Sequence, residues 1–180
     1  MSLVTSLQLL ALLGLLGSAV FMDLRERRIP NTVTMSGLLV GLVLATVAEA
    51  GIPTSALAGS AIGLLVFLPL LALGGMGGGD VKLLTAVGAF VGPHGLLSVV
   101  LYGALAGGGL ALGSAIWRRD LLRVLASSGG LFISLVSMGR LRERPTLDGP
   151  NARSIPYGLA IAVGALGAWF FPLSLGGLIH

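Results

Sequence analysis

Long apolar segments separated by short polar ones fill most of this 180-residue chain. A helix needs about 20 apolar residues, within a range of roughly 17–25, to cross the hydrocarbon core of a bilayer. The segments that reach this length are Leu3–Met22, Thr32–Ala48, Ser55–Leu73, Leu96–Trp117 and Ile155–Phe171. The pattern predicts an all-α bundle of membrane-spanning helices.

A shorter apolar segment, Val81–Val91, lies between a glycine-rich stretch and Gly92-Pro93-His94-Gly95. As a helix it would be only about 16 Å long. We therefore expect it to cross within a groove lined by protein or to extend through Pro93. With this segment the bundle has about six spans, and residues 1–180 form a single membrane-embedded domain.

The basic residues orient these spans. All 11 Lys and Arg residues lie after the first span, after the glycine-rich stretch or between Trp117 and Ile155. They are Arg25, Arg27, Arg28, Lys82, Arg118, Arg119, Arg123, Arg140, Arg142, Arg144 and Arg153. The connections at residues 51–54 and 93–95 contain none. The positive-inside rule therefore places the basic groups on the cytoplasmic side of the membrane, with both termini facing outward.

Two segments allow other interpretations. Leu121–Met138 is apolar enough for a further span, but a crossing there would place Arg140 and the basic residues after it outside. We predict instead a helix that lies in the cytoplasmic interface. Leu3–Met22 lacks the basic region that begins a cleaved signal peptide, so we expect it to be retained as a span.

Small residues four positions apart predict where helices approach closely. Gly37 and Gly41, Gly59 and Gly63, Gly103 and Gly107, and Gly109 and Gly113 have this spacing. In lipid such pairs allow two backbones to come together. The pairs indicate packing and no particular chemistry.

Composition supports a membrane protein. Hydrophobic residues make up 55% of the chain and charged residues only 10%, against roughly 25% charged in soluble domains. This excludes a disordered chain and an ordinary soluble domain. A net charge of only +4 underlies the high pI of 10.7, so the lipid bilayer is the expected partner and nucleic acid is not. The chain has no cysteine, which excludes disulfides and thiol catalysis, and we predict no cofactor or metal.

Two carboxylates are candidates for chemistry. Asp23 ends the first span and Asp80 follows the third, so the topology places both at one membrane face. Ionisable groups beside a hydrocarbon core are costly, which suggests a function. A close pair shares a proton, so that one carboxylate activates water while the other donates to a carbonyl. Each Asp would otherwise be a helix cap, a partner of a nearby basic residue or a solvated group.

The stretch Gly74-Gly75-Met76-Gly77-Gly78-Gly79-Asp80 does not match a phosphate-binding loop of either common type. Glycines before an Asp instead supply backbone freedom, which lets the carboxylate move or lets an extended substrate approach.

These residues resemble a known family. Asp23-Leu24-Arg25-Glu26-Arg27-Arg28-Ile29-Pro30-Asn31 after a first span is similar to the first signature of the type IV prepilin peptidases. Gly77-Gly78-Gly79-Asp80-Val81-Lys82 is similar to the second, the GxGD motif of membrane aspartyl proteases. Ile155-Pro156-Tyr157-Gly158-Leu159-Ala160-Ile161-Ala162 resembles a segment near the family's C-terminus.

The resemblance implies that Asp23 and Asp80 are the catalytic pair and that Gly77 and Gly79 shape the active loop. It implies that the partner is a prepilin or pseudopilin substrate helix, cut after its basic leader at the cytoplasmic face of the bacterial inner membrane. Asn31 and Lys82 then orient the carboxylates or the substrate, or serve the structure.

The short connection between the first two spans has no cysteine-containing insert, which resembles the compact, peptidase-only form found in tight-adherence (Flp) pilus systems. That form argues against methyltransferase activity. Other interpretations remain: a peptidase for archaeal-type flagellin leaders, a small ion-coupled transporter, or a non-catalytic pilus-assembly subunit. The sequence sets no oligomeric state.

Overall fold

The computed structural model describes residues 2–73, 76–118 and 157–173, and every regular element in these ranges is an α-helix. The helices are α1 (Leu3–Glu26), α2 (Asn31–Glu49), α3 (Thr54–Ala72), α4 (Gly78–Arg118) and α5 (Tyr157–Phe170). The first three helices and Gly78–Leu110 of α4 are long and apolar enough to cross a membrane, while α5 is shorter. The prediction of an all-α membrane bundle is confirmed. The interfacial helix predicted at Leu121–Met138 lies outside the described residues.

The first helix is longer than its apolar stretch. Its N-cap is Ser2, whose side chain accepts a hydrogen bond from the Thr5 N–H at 3.2 Å. The helix continues past Met22 and ends at Arg27, which has a left-handed conformation with φ 52 and donates its N–H to the Asp23 carbonyl. The extension places Asp23 in the last turns of the helix, where its side chain has a fixed direction.

The fourth helix is broken at Gly92, which has φ 68 and ψ −176. We name residues 78–91 α4a and residues 93–118 α4b. The Gly63 backbone packs against Leu84 of α4a, while Ser55 at the start of α3 lies near Gly92, so α3 and α4a are antiparallel. The break corresponds to the one predicted around Pro93, and α4a corresponds to the short segment Val81–Val91.

The segment α4a forms the centre of the bundle. Its side chains are buried on almost every side, among them Val81, Leu83, Ala86 and Val87. Within the most apolar 18-residue stretch of each helix, 61% of the residues are buried in α4, against 22%, 22% and 17% in α1, α2 and α3. A short apolar helix can therefore occupy this position because protein surrounds it in place of lipid, as expected from its length.

The last helix packs along α4b in the opposite direction. Gly164 lies against the backbone of Val99 and Gly103, and Gly103 lies against Ala160. The Tyr102 hydroxyl donates to the Phe171 carbonyl at 2.9 Å, which fastens the end of α5. The segment α4b runs from the break at Gly92 back towards the end that contains Asp23. Because α5 is antiparallel to α4b, α5 begins at that same end.

Three of the four predicted glycine pairs lie at helix contacts. Gly37 and Gly41 face side chains of α1 and α4a, Gly59 and Gly63 face α4a, and Gly103 and Gly107 face Ala160. Gly109 and Gly113 have no atom of the described residues within 4 Å of a Cβ built on them. Small residues four apart thus predict close packing only where the helix also has a neighbour.

The bundle has two distinct ends. We call the end that contains the last turns of α1 and the starts of α2, α4a and α5 the Asp23 end. The opposite end, with the connection between α2 and α3 and the break at Gly92, is the Gly92 end. The basic residues Arg25, Arg27, Arg28 and Lys82 belong to the Asp23 end and are exposed.

Candidate active site

Asp23 is a half-buried carboxylate that meets the start of α5. Its Oδ2 accepts a hydrogen bond from the backbone N–H of Gly158 at 3.0 Å. The first N–H groups of a helix have no partner within the helix, and the N-terminus attracts negative charge. The carboxylate of α1 therefore caps α5, although the two residues are far apart in the sequence.

Asp80 lies in the first turn of α4a and is also half-buried. Its own N–H donates to the Gly77 carbonyl at 3.1 Å. A Cβ added at Gly77 would lie 2.9 Å from Oδ2 of Asp80, closer than such atoms approach in proteins. The loop glycine thus allows the carboxylate to fold back over the backbone that precedes it.

The two carboxylates lie close enough to interact electrostatically. Ile29, in the connection between α1 and α2, helps to hold them together. It is 7% exposed and packs on Gly79, where an added Cβ would lie 3.2 Å from the Ile29 Cβ. Gly79 therefore provides room for the α1–α2 connection to approach α4a. The structure brings Asp23, Asp80, Gly77 and Gly79 to one place.

Lys82 and Asn31 form a pair beside this place. The Lys82 Nζ donates to the Asn31 Oδ1 at 2.8 Å, and both side chains are exposed. Within the described ranges neither side chain has a hydrogen bond to Asp23 or Asp80. The pair connects the start of α2 to the start of α4a, a position from which it stabilises the packing of these two helix ends.

An apolar cavity of about 340 Å³ opens at the Asp23 end of the bundle. Met76 and Tyr157 line it, and each directly precedes a glycine that contacts one of the carboxylates, Gly77 for Asp80 and Gly158 for Asp23. The remaining lining comes from α3, α4 and α5 and consists of Phe67, Leu84, Val99, Val100, Gly103, Ala104, Gly107, Gly108, Ala160 and Ile161. The small residues leave space for apolar side chains of a bound molecule.

The arrangement suits acid–base chemistry. Two adjacent carboxylates disfavour double ionisation, so that one proton is shared between them. Such a pair presents a base and an acid to the same bound group. In the part of the chain that the structure describes, no cluster of three or more His, Cys, Asp or Glu side chains has the geometry of a metal site.

The sequence interpretation assigned no role to Gly158, which contacts Asp23. The signal was present: Pro156-Tyr157-Gly158 begins the last apolar segment, and the charge pattern places that beginning on the same side as Asp23. The contact itself depends on how α5 packs against α1, and neither hydropathy nor charge specifies this packing.

Comparisons with known proteins give matches in one family. A family model described as the type IV leader peptidase family matches residues 10–112, a range that includes Asp23 and Asp80. A prepilin leader peptidase/N-methyltransferase of Xanthomonas campestris pv. campestris is 37% identical over 103 residues, which cover 53% of this chain and 34% of that relative. The matched region thus spans about a third of that relative's length. No solved structure matches the chain.

Proposed function

The chain belongs to the type IV leader peptidase family, and we propose that it is an aspartic endopeptidase that removes the leader of Flp-like prepilins or pseudopilins. The observation that carries this proposal is the convergence of Asp23 and Asp80. They come from α1 and α4a, which are far apart in the sequence. Both side chains are half-buried, and they lie close enough to interact electrostatically.

In the proposed reaction the ionised carboxylate of the pair takes a proton from water as the water oxygen attacks the scissile carbonyl, while the protonated carboxylate donates to the carbonyl oxygen. When the C–N bond breaks, the first carboxyl passes its proton to the leaving amine and the second takes a proton back from a hydroxyl of the tetrahedral intermediate, which restores the pair. Each proton transfer of this kind contributes about 10²–10⁴-fold to a rate. Both carboxylates are therefore required.

The reaction takes place at the cytoplasmic face of the bacterial inner membrane. The exposed basic residues of the Asp23 end support this orientation because the cytoplasmic connections of membrane proteins are enriched in Lys and Arg. At this depth water reaches the carboxylates, which hydrolysis needs and which the hydrocarbon core does not supply.

The apolar cavity supports a substrate with a hydrophobic helix. Such a helix would enter from the bilayer beside α4b and α5, where Gly108 lines the cavity and has nothing within 4 Å of an added Cβ, so that a second backbone can approach closely. Its leader would remain in the cytoplasm, and the scissile bond would lie at the carboxylates. Transport sites, in contrast, usually lie near the midplane of the bilayer, whereas Asp23 and Asp80 lie at helix ends.

A cleavage assay tests the proposal. The enzyme is co-expressed with a Flp-like prepilin, and the conversion to the shorter product is followed on gels and by mass spectrometry of the new N-terminus. We expect conversion by the unaltered enzyme and none by Asp23→Asn or Asp80→Asn. Glu26→Gln is the matched control, because Glu26 is an exposed carboxylate on α1 near Asp23.

The proposal fails if the unaltered enzyme leaves every prepilin and pseudopilin intact, or if either Asp→Asn variant cleaves at the normal rate. Membrane insertion of each variant is checked by fractionation and by the accessibility of single introduced cysteines, which the cysteine-free chain makes possible.

A further inference from the structure

Gly158 is held directly against the side chain of Asp23. Its N–H donates to Oδ2 at 3.0 Å, and the residue itself is buried. A Cβ added at this position would lie 2.8 Å from Oδ2, 3.3 Å from Cγ and 3.3 Å from the Cβ of Asp23. The three atoms nearest to that added carbon all belong to Asp23.

A side chain at position 158 would therefore displace the carboxylate before anything else. A carboxylate oxygen is the free end of a side chain, so it can rotate away without unfolding either helix, but only by weakening its hydrogen bond to Gly158. The same rotation would lengthen the hydrogen bond to the N–H and move the oxygen relative to Asp80. The cost of the substitution would thus fall on the geometry of the pair.

We propose that Gly158 is a positioning residue, which fixes the Asp23 carboxylate towards Asp80 through its backbone N–H and through the absence of a side chain. The inference rests on the proposed function. It assigns the start of α5 to the active site, although α5 supplies no catalytic side chain. It also gives each carboxylate one glycine that lies directly against it: Gly77 for Asp80 and Gly158 for Asp23.

The kinetic test compares Gly158→Ala with Gly17→Ala in purified enzyme and a prepilin substrate. Gly17 is the matched control because it lies on α1 with Asp23 and has nothing within 4 Å of an added Cβ. We expect Gly158→Ala to lower kcat by about 10–100-fold, since a displacement near 1 Å can cost that much, with KM within about threefold. Gly17→Ala should keep both constants.

The pH–rate profile provides a readout that a purely structural defect would not change. A smaller fraction of folded enzyme lowers the rate equally at every pH. Lengthening the Gly158 hydrogen bond and moving Oδ2 relative to Asp80 changes how strongly the two carboxylates interact, and therefore the protonation of the pair. We expect the half-maximal point of the profile to move by about half a unit or more in Gly158→Ala and to stay in place in Gly17→Ala.

A thermal-stability cycle tests the contact without relying on activity. Gly158→Ala is measured in the unaltered chain and in the Asp23→Ala background, where Oδ2 and Cγ are missing. We expect Gly158→Ala to be less favourable by about 2–4 °C of Tm when Asp23 is present. The cycle cancels the general effect of alanine on helix stability.

The inference is overturned if Gly158→Ala cleaves like the unaltered enzyme, if its pH profile is unmoved, or if its Tm shift is the same in both backgrounds. If the unaltered enzyme cleaves no leader, the proposed function fails, and the stability cycle still decides whether Gly158 and Asp23 are coupled.

Discussion

Both ends of the bundle contain a carboxylate that caps the start of another helix, and the two differ in what surrounds them. At the Gly92 end the exposed Glu49 accepts from the Thr54 N–H at 2.9 Å and from the Ser55 hydroxyl at 2.6 Å. It replaces the missing side-chain cap of α3, whose N-cap is Pro53. At the Asp23 end the half-buried Asp23 accepts from Gly158 at the start of α5.

The comparison shows that capping alone does not identify a catalytic carboxylate. Glu49 caps a helix that begins a few residues further along the chain, and water surrounds it. Asp23 caps a helix more than a hundred residues away, is half-buried, and has Asp80 beside it. The second carboxylate and the partial removal from water distinguish the Asp23 end, because the proposed reaction requires two carboxylates that share a proton.

The largest contrast is expected from isosteric neutralisation at the two ends. Asp80→Asn keeps the shape of the side chain but removes its titratable carboxyl group, so prepilin cleavage should fall by about 10³-fold or more. Glu49→Gln should cleave within about twofold of the unaltered enzyme, because Glu49 lies at the opposite end of the bundle. Initial rates at saturating substrate measure both. Equal losses in the two variants would contradict the assignment of chemistry to the Asp23 end.

The next contrast concerns the glycines that precede the two regions. Gly77→Ala places a Cβ 2.9 Å from Oδ2 of Asp80, whereas the nearest atom to a Cβ at Gly51 is 3.9 Å away. We expect Gly77→Ala to lower kcat by about 10–100-fold through displacement of the carboxylate. Gly51→Ala, at the Gly92 end, is the matched control and should leave kcat unchanged.

The outcome for Gly77 separates two roles of the loop. If the loop only links α3 to α4a, both alanine variants should cleave alike. A loss confined to Gly77→Ala, with the protein still inserted and monodisperse in detergent, indicates that the loop sets the position of Asp80.

Removal of the cap at the Gly92 end should affect stability and leave catalysis intact. Glu49→Ala deletes the acceptor of the Thr54 N–H, and loss of a helix cap is destabilising. We expect a Tm lower by about 2–4 °C in detergent with cleavage rates unchanged at temperatures well below unfolding. A large drop in kcat for the folded variant would show that the two ends are coupled.

Hydropathy and charge were sufficient for much of this fold because both are properties of the linear chain. They located the helices, and they placed Asp23 and Asp80 at one face from the positions of Arg25 and Lys82. The extension of α1 beyond Met22 was not predicted, because its end depends on Arg27, a non-glycine residue with φ 52. Such a conformation has no clear sequence signal.

The partners of the carboxylates were the part that sequence patterns could not supply. The role of Gly158 depends on the packing of α5 between α1 and α4b, which places residues together that are distant in the chain. The motif at Gly77 and Asp80 was visible since all its members are adjacent. Local contacts are thus readable from the sequence, while contacts between helices require the structure.

The smallest expected effect concerns the Lys82–Asn31 pair. The pair belongs to the Asp23 end, but both side chains are exposed, as Glu49 is at the Gly92 end. Its 2.8 Å hydrogen bond is open to solvent, and exposed charged contacts contribute little to stability, typically up to about 1 kcal/mol. We expect Lys82→Met and Asn31→Ala each to cleave within about threefold of the unaltered enzyme. The double variant should be no worse than either single one, since each removes the same contact. Kinetics over a range of prepilin concentrations measure this. A more than tenfold rise in KM for Lys82→Met alone would instead assign that ammonium group to substrate binding and would extend the substrate-binding region of the Asp23 end beyond its two half-buried carboxylates.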